Sequence, residues 1–300
     1  MSPSGRVKTE VEGRQLSLGH LDKVMFPATG FTKGQLIDYY ARIAPVMLPH
    51  VRDRPLTFRR YPDGVDGNSF FEKNAPSHAP DWVRTIKVPS TSSRGSGGEV
   101  EHALVCDLPT LVWAANLATI EFHVPLWHVG RRRKLPTPPD HMVFDLDPGP
   151  DTTVVECCRV AEWIAETIPI DALAKTSGSK GLQLYMPLDG RPTWEGTRNR
   201  AHDLATQLEQ EHPELVVSTM AKDRRQGRVF IDWSQNTASK TTVAAYSVRA
   251  RPEPTVSTPV TWDEVAACAA GGDPATLRFT TDEVLDRVDE LGDLFASLSI

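Results

Sequence analysis

The stretch HMVFDLDPG at residues 141–149 determines how the rest of the chain can be interpreted. In it, an apolar run leads into two acids separated by one residue, and a Pro-Gly pair ends the run. Alternate side chains of a β-strand point to opposite faces, so Asp145 and Asp147 share one face and Leu146 occupies the other. Two carboxylates about 7 Å apart along one strand face repel each other unless a cation lies between them. Hard divalent ions such as Mg²⁺ and Mn²⁺ prefer such oxygen ligands.

A lone Asp-x-Asp motif is more often the solvated end of a strand than a metal site, because short motifs have many false positives. A third acid favours the metal interpretation. Asp232 follows three apolar residues within the stretch VFIDWSQN at residues 229–236. A carboxylate in an apolar strand is costly to bury unless it is paired or binds a cation. The pattern therefore predicts that Asp232 joins Asp145 and Asp147 at a site for divalent metal ions.

The overall composition restricts the class of protein. A chain of 300 residues with 40% hydrophobic content can bury the core of one large domain or of two closely packed lobes. Its net charge of −6 means that nucleic-acid binding would require local basic patches. No apolar run approaches the roughly 20 residues of a membrane span, and residues 1–13 lack the apolar segment of a signal peptide. We therefore expect a cytoplasmic protein, with the adjacent Cys157 and Cys158 in the core.

Two other stretches have the composition of phosphate sites. The loop AKTSGSKG at residues 174–181 combines hydroxyls, glycines and lysine before an alternating strand, which suits a phosphate cradle and equally suits a polar hairpin turn. Lys23 and Lys33 flank a helix start at which Thr32 and Gln35 form a capping box. Each lysine alone is typical of a solvated surface, but as a pair beside a helix N-terminus they could hold a phosphate.

Further basic and aromatic residues are compatible with a nucleic-acid partner. Basic loops occur at residues 131–134 and 222–228, and each is either a solvated turn or a contact to a phosphate backbone. Phe70 and Phe71 precede an acid and a lysine, and such pairs are more often core residues than a platform for stacking bases. His123 lies in an apolar run before a proline, where a core histidine is the default interpretation.

Several motifs occur in one order along the chain, and together they are more specific than any one of them. On these motifs the chain resembles the polymerase domain of bacterial ligase D, within the archaeo-eukaryotic primase superfamily, from about residue 18 to residue 298. The motifs are DKV (22–24), PATG (27–30), FFEK (70–73), HVP (123–125), DLDPG (145–149), TSGSKG (176–181), IDWSQN (231–236), SKTT (239–242) and YSVR (246–249).

The resemblance implies roles for individual residues. It implies that Asp145, Asp147 and Asp232 bind two Mn²⁺ or Mg²⁺ ions and carry the catalysis. The residues implied in nucleotide binding are His123, Ser177, Lys180, Gly181, Gln235 and Arg249. The residues implied in DNA binding are Lys23 and Lys33 at a 5′-phosphate, Phe70 and Phe71 near the nascent pair and templating base, and Arg225 in a loop that arranges the template. His20 stands where the family often has Asn beside the phosphate pocket.

The resemblance also implies a fold and a domain organisation. The expected fold is α+β and of the primase type, with a mixed or antiparallel catalytic sheet flanked by helices. We expect a single primase-polymerase domain over residues 1–300. Within it, residues 1–125 would carry the 5′-phosphate pocket, residues 126–260 the catalytic core, and residues 261–300 helices that pack back on the rest.

The implied activity is template-dependent addition of nucleotides to a primer 3′-hydroxyl. Gaps and double-strand-break ends are the implied substrates, with a preference for ribonucleotides, during non-homologous end joining. The implied partners are DNA with a 5′-phosphate, nucleoside triphosphates, Ku and a DNA ligase, with no membrane partner. The implied location is the cytoplasm, in association with the nucleoid.

The residues alone leave two other functions open. A metal-dependent nuclease or phosphoesterase also uses paired acids, but it does not need a triphosphate cradle. A non-catalytic module that binds or bridges DNA ends would use Lys23, Lys33 and the basic loops. Its binding would not depend on the three acids, and it would weaken as salt is added.

Overall fold

The computed structural model describes residues 5–90, 98–130, 135–168, 171–190 and 192–298. The basic loop predicted at residues 131–134 lies outside these ranges. Within them the chain folds into two larger sheets, three two-stranded ribbons and six α-helices. No helix in the described ranges is long and apolar enough to cross a bilayer.

The described strands are short, and most of them pair antiparallel. The N-terminal strands are β1 (Val7–Val11), β2 (Arg14–Leu18), β3 (Val24–Phe26), β4 (Phe31–Thr32), β5 (Thr57–Arg60), β6 (Phe70–Glu72), β7 (Thr85–Pro89), β8 (Glu99–Ala103) and β9 (Thr119–Val124). The later strands are β10 (His141–Pro148), β11 (Leu173–Thr176), β12 (Leu182–Pro187), β13 (Val216–Val217), β14 (Val229–Asp232), β15 (Thr242–Val243) and β16 (Pro259–Val260).

The helices lie between groups of these strands, except for the last two, which follow the final strand. The α-helices are α1 (Lys33–Val51), α2 (Leu108–Asn116), α3 (Val154–Thr167), α4 (Trp194–Glu211), α5 (Trp262–Ala269) and α6 (Thr281–Leu291). Short 3₁₀ helices occupy Lys222–Arg225, Trp233–Gln235, Pro274–Leu277 and Ala296–Leu298.

The larger sheet has six strands in the order β13-β14-β10-β12-β11-β16, and β10 lies between β14 and β12. All its pairs are antiparallel except β13 with β14, so the sheet is mixed. One face of β10 packs Met142, Phe144 and Leu146 into a core shared with α3, α4 and α5. The opposite face carries Val143, Asp145 and Asp147, because side chains alternate along a strand.

The second sheet has four strands in the order β15-β9-β5-β6. Its Phe58 and Phe122 pack in a core with side chains of α1 and α2. The same core includes Val143 of β10 and Tyr185 of β12, which lie on the acid-bearing face of the six-stranded sheet. The two sheets therefore share one core. Asp145 and Asp147 follow Val143 along the same face of β10, nearer to solvent.

A local sequence signal sets the start of α1 as predicted. The capping box of Thr32 and Gln35 is present at the start of α1, and each partner satisfies a backbone N–H that the helix leaves free. Cys157 and Cys158 of α3 are both buried, which confirms their core placement. Neither cysteine forms a disulfide.

Two helices are shorter than their apolar patterns suggest. The pattern at residues 108–120 predicts one helix, but α2 ends at Asn116 and Ile120 belongs to β9. Ala118 has a φ of 61°, a left-handed conformation that turns the chain into the strand. Similarly, residues 280–298 are predicted as one helix, whereas α6 ends at Leu291 before Gly292, whose φ is 71°.

Candidate active site

The three predicted metal-binding acids lie on adjacent strands. Asp145 of β10 is directly opposite Asp232 of β14 in an antiparallel pair. Directly opposite residues of such a pair have Cβ atoms roughly 5 Å apart and share one face of the sheet. Asp147 is two residues along β10 and therefore lies on that same face. The sheet thus brings the side chains of Asp145, Asp147 and Asp232 to one of its faces. We call this group of three acids the acidic cleft.

The electrostatics of the acidic cleft are those of confined like charges. Burial, followed by the charges of Asp147 and Asp232, raises the pKa of Asp145 to about 7. Burial and the charge of Asp232 also raise the pKa of Asp147. Unneutralised carboxylates at close range favour either a proton or a cation. The acidic cleft therefore has the oxygen ligands and the excess negative charge that suit a hard divalent cation.

Neighbouring side chains hold the Asp232 carboxylate in place. Its Oδ1 accepts a hydrogen bond from the Ser234 N–H at 3.0 Å, and its Oδ2 accepts one from Gln235 Nε2 at 2.9 Å. Lys240 Nζ lies 3.8 Å from Oδ2. Across the described residues, no group of three or more His, Cys, Asp or Glu side chains forms a ready-made metal site. The three acids share one face of the sheet without forming a ready-made set of ligands.

The predicted phosphate loop connects β11 to β12 beside the acidic cleft. Ser177 Oγ accepts hydrogen bonds from the N–H groups of Ser179 at 3.2 Å and Gly181 at 3.0 Å, which closes the loop into a compact turn. A Cβ on Gly181 would lie 2.1 Å from the carbonyl oxygen of Leu146. Only glycine therefore allows the loop to approach β10 this closely, and Lys180 is exposed at its edge.

Arg249 connects this loop to the second sheet. Its Nη1 donates to the carbonyl oxygen of Ser177 at 2.6 Å, and its Nε lies 3.3 Å from Glu121 Oε1. His123 Nε2 lies 2.9 Å from Glu121 Oε2. Burial acts to raise the pKa of Glu121, but its contacts with His123 and Arg249 hold that pKa well below its usual range. Glu121 thus contacts both predicted nucleotide contacts, His123 and Arg249.

The aromatic pair on β6 is exposed and is not part of the core. Phe70 and Phe71 are 44% and 57% exposed, so the default core interpretation of this pair is wrong. The Arg59 guanidinium lies 5.2 Å from the ring centre of Phe71, and the His123 ring lies 5.4 Å from it in an edge-on arrangement. Phe71 also borders a groove of about 570 Å³ that leads toward Lys73. This surface can present an aromatic face to a base.

The loop that contains Arg225 closes over the end of β10. Gly149 N–H donates to the Arg228 carbonyl at 2.8 Å, and a Cβ on Gly149 would lie 1.8 Å from the Arg225 carbonyl oxygen. The Arg225 guanidinium lies 3.8 Å from the ring centre of Phe230. Its charge also acts to lower the pKa of Asp147. Arg225 therefore lies near the acidic cleft and not on a remote surface.

The predicted lysine pair forms a second charged site, away from the acids. Lys33 is only 7% exposed, and its Nζ donates to the Gly19 carbonyl at 2.7 Å. Burial, followed by the charges of Lys23, Arg60 and Arg6, lowers the pKa of Lys33 to about 8. Lys23 bonds to Asp63 at 2.9 Å. Lys33 lines a cleft of about 450 Å³, which we call the basic pocket; its lining includes Arg6, Gln15, Ser17, His20, His78 and Trp82.

Sequence patterns did not reveal several residues of these sites. Glu121 pairs with Arg249 across 128 residues of sequence, and no local signal reports such a contact. Gln183 donates from Nε2 to Asp145 Oδ1 at 3.0 Å. A polar residue at a buried position of an alternating strand was the available signal for Gln183. Lys240 belongs to the SKTT motif, but nothing in the sequence marks it as a neighbour of Asp232.

Comparisons with known proteins agree with this geometry. The family model described as LigD, primase-polymerase domain, matches residues 32–295. The multifunctional non-homologous end joining protein LigD of Mycolicibacterium smegmatis is 42% identical over 287 residues, which are 95% of this chain and 36% of that protein. The bifunctional non-homologous end joining protein LigD of Bacillus subtilis is 32% identical over 282 residues, 93% of this chain and 43% of that protein. The chain thus spans less than half the length of these relatives.

A solved structure shows the same fold. The polymerase domain from Mycobacterium tuberculosis ligase D, in complex with DNA, superimposes with a TM-score of 0.86 at 42% sequence identity. The match covers 95% of this chain and 98% of that one. It confirms the α+β fold that the motifs predict. The chain belongs to the family of LigD primase-polymerase domains, which are metal-dependent nucleotidyltransferases.

Proposed function

We propose that this domain is a template-dependent polymerase that adds nucleotides to a primer 3′-hydroxyl at gaps or broken DNA ends. The observation that carries the proposal is the register of β10 with β14, which brings Asp145 and Asp232 face to face beside the phosphate loop. Family membership and the placement of this loop next to two confined acids support the same function.

Asp145, Asp147 and Asp232 would hold two divalent ions, Mn²⁺ or Mg²⁺. When bound, the ions would activate the primer hydroxyl and stabilise the charge on the leaving pyrophosphate. The protein contributes the ligand arrangement: Gln183 holds one oxygen of Asp145, and Ser234 and Gln235 hold both oxygens of Asp232. Gln235, which we predicted to be a nucleotide contact, would then act in part by holding Asp232.

The triphosphate would lie against the turn at Ser177 and Gly181. Lys180 and Arg249 would neutralise its charge, and hydrogen bonds to charged phosphate oxygens are the strong ones. Arg249 is already held in place by Glu121, so little side-chain freedom is lost when it binds a phosphate. His123 is fixed by the same glutamate, and we place it beside the incoming nucleotide.

The DNA would use the exposed aromatic surface and the basic pocket. Phe70 and Phe71 would stack near the nascent pair and the templating base, and Arg225 would arrange the template beside the acids. Lys23 and Lys33 would bind the 5′-phosphate that borders a gap or ends a break. The Mycobacterium tuberculosis relative was solved in complex with DNA, which supports this partner.

The cellular setting follows from the relatives and not from the geometry. They are non-homologous end joining proteins, so we propose that this chain fills short gaps in that pathway and cooperates with Ku and a DNA ligase. We further propose a preference for ribonucleotides and action in the cytoplasm, at DNA of the nucleoid. We propose that the organisation is one domain, with the pocket in residues 1–125, the catalytic core in residues 126–260 and C-terminal helices in residues 261–300.

Primer extension on a gapped duplex tests the proposal. We expect template-directed addition that requires a divalent ion, is faster with Mn²⁺ than with Mg²⁺, and is faster when the gap has a 5′-phosphate. Ribonucleotides and deoxynucleotides in competition would measure the sugar preference. Shortening of the DNA in place of extension would indicate a nuclease, and binding of ends without any addition would indicate a bridging module. Either result would contradict a polymerase.

A further inference from the structure

A row of four polar side chains crosses the six-stranded sheet in one line. Asp232 of β14 is opposite Asp145 of β10, and Asp145 is opposite Gln183 of β12. Gln183 is in turn opposite Lys175 of β11. Directly opposite residues share a face, so all four side chains lie on the side of the acidic cleft. No part of the proposed function yet uses Lys175, although it is in line with two of the three acids.

Lys175 is buried at considerable cost. It is 1% exposed, and its Nζ donates to Gln183 Oε1 at 2.5 Å and to Ser257 Oγ at 2.6 Å. Both partners are neutral, and neutral partners compensate poorly for the desolvation of a buried amine. Asp145 is the carboxylate whose charge favours the protonated amine. A lysine held beside an amide in this way suggests a role in organising the row.

The contacts of Lys175 determine which way the Gln183 amide faces. Ser257 Oγ donates its own hydrogen to the Thr176 carbonyl at 2.8 Å, so Lys175 must donate to Ser257. The amine retains a further N–H in either protonation state, and this group requires an acceptor on Gln183. The Gln183 oxygen therefore faces Lys175, and its NH₂ group faces Asp145 Oδ1 at 3.0 Å.

We propose that Lys175 is a positioning residue that acts through Gln183: it orients the amide so that Asp145 presents a fixed carboxylate to the metal ions. The inference rests on the proposed role of Asp145 in metal binding. Among the described residues, Gln183 is the hydrogen-bond donor that engages Asp145, so one oxygen is held and the other can face a cation. Without Lys175 the amide could turn its oxygen toward Asp145, and two acceptors would then repel each other.

A double-mutant cycle tests this coupling. The variants are Lys175→Met, Gln183→Met and the double variant, and the first readout is Mn²⁺ affinity without DNA or nucleotide, measured by electron paramagnetic resonance. Removing partners that orient metal ligands typically costs about 10- to 100-fold in metal affinity or activity. We expect Lys175→Met to weaken Mn²⁺ binding by about tenfold and to lower kcat similarly, with KM for nucleotide nearly unchanged. Because Lys175 acts through Gln183, the double variant should match Gln183→Met alone.

A conservative variant separates orientation from simple loss of packing. Lys175→Gln retains an N–H donor for Gln183, so it should bind Mn²⁺ more tightly than Lys175→Met. Melting temperatures of all variants report folding, and Lys175→Leu replaces Lys175→Met if the latter does not fold. Additive effects in the double variant, or unchanged Mn²⁺ affinity in Lys175→Met, would overturn the inference. Asp145→Ala tests the proposed function separately from the role of Lys175. Normal primer extension by Asp145→Ala would overturn the proposed function, whatever the Lys175 variants show.

Discussion

The acidic cleft and the basic pocket both confine like charges, but they are built differently. In the acidic cleft, Asp145, Asp147 and Asp232 project from two central strands whose register fixes their spacing. In the basic pocket, Lys33 is the first residue of α1 and Arg6 comes from the N-terminal segment, while Lys23, which follows a turn, adds its charge from beside the pocket. The strand register fixes the like charges of the acidic cleft, whereas those at the basic pocket come from a turn, a helix start and the N-terminal segment.

The comparison shows how the missing counter-charge of a site can be inferred from its pKa shifts. Burial and mutual repulsion raise the pKa of Asp145, which indicates a place for a cation. Burial and neighbouring positive charges lower the pKa of Lys33, which indicates a place for an anion. Lys23, which lies beside the basic pocket, is already paired with Asp63, so the positive charge around Lys33 is partly neutralised and an anion bound there should contribute less energy. We therefore expect larger effects from the acidic cleft than from the basic pocket.

The largest expected effect is the loss of catalysis in Asp232→Asn. The change keeps the volume of the side chain and removes the charge that the metal ions need. We expect kcat for primer extension to fall at least about 100-fold, as for other groups that stabilise developing charge. Because the carboxylates repel each other, the melting temperature without metal should stay the same or rise.

Asp203→Asn is the matched control for that variant. Asp203 lies on α4, which packs against the face of the sheet opposite the acidic cleft, and its side chain is 81% exposed, so its charge is solvated. We expect its extension rate to equal that of the parent. Equal rates for Asp232→Asn and the parent would show that the acidic cleft is not the metal site.

A smaller effect is expected in the basic pocket. The double variant Lys23→Ala plus Lys33→Ala removes two donors to a 5′-phosphate. A charged hydrogen bond contributes roughly 1.5 to 3 kcal/mol, and Lys23, which is already paired with Asp63, should add little to the contribution of Lys33. We expect affinity for gapped DNA with a 5′-phosphate to fall about 10- to 100-fold, and affinity for the same DNA without it to change little. Fluorescence anisotropy at fixed salt measures both affinities.

Arg42→Ala controls for the loss of positive charge in general. Arg42 is on the exposed face of α1 and has a side chain that is 55% exposed. It should leave the ratio of the two affinities unchanged. If the lysine double variant also preserves that ratio, the basic pocket does not recognise the 5′-phosphate.

The smallest predicted effect is the pH dependence of the ratio between the affinities for gapped DNA with and without a 5′-phosphate. Lys33 has a pKa of about 8 in the folded protein, so its charge is lost as pH rises from 7 to 9. The charged fraction would fall to about one-tenth at pH 9, and the advantage from a 5′-phosphate should fall by at most about tenfold. The phosphate itself is already a dianion at pH 7, so its own ionisation does not change the affinity ratio between pH 7 and 9. Lys33→Arg stays charged and should flatten the curve; an equally steep curve in that variant would assign the effect to another group.

The same shift has a consequence for stability. The pKa of Lys33 lies below its ordinary value of 10.5, so the unfolded chain binds more protons than the folded chain between pH 8 and 10.5. The contribution of Lys33 to the free energy of unfolding should therefore increase with pH across this window. Denaturant titrations of the parent and of Lys33→Met would measure it as a difference in slope against pH.

Features set by neighbouring residues were predictable from the sequence. The alternation of Asp145 and Asp147 on one face of β10 follows from strand geometry, and the start of α1 follows from Thr32 and Gln35. The motifs DLDPG, TSGSKG and IDWSQN, taken together, also predicted the family and its fold.

Features set by distant parts of the chain were not predictable. The exposure of Phe70 and Phe71 depends on what packs over β6, and the Glu121–Arg249 pair depends on how the second sheet meets the phosphate loop. The link from Lys175 to Asp145 requires the registers of two strand pairs, which no local pattern specifies.

Direct location of the metal ions tests the central claim that acids from two strands form one cation site. Crystals grown with Mn²⁺ and a non-hydrolysable nucleoside triphosphate would show the ions by their anomalous scattering. We predict one Mn²⁺ peak bound by carboxylate oxygens of Asp145, Asp147 and Asp232, and a second between Asp145, Asp147 and the triphosphate. A Mn²⁺ peak that excludes Asp232, or a triphosphate bound away from the turn at Ser177 and Gly181, would contradict the account.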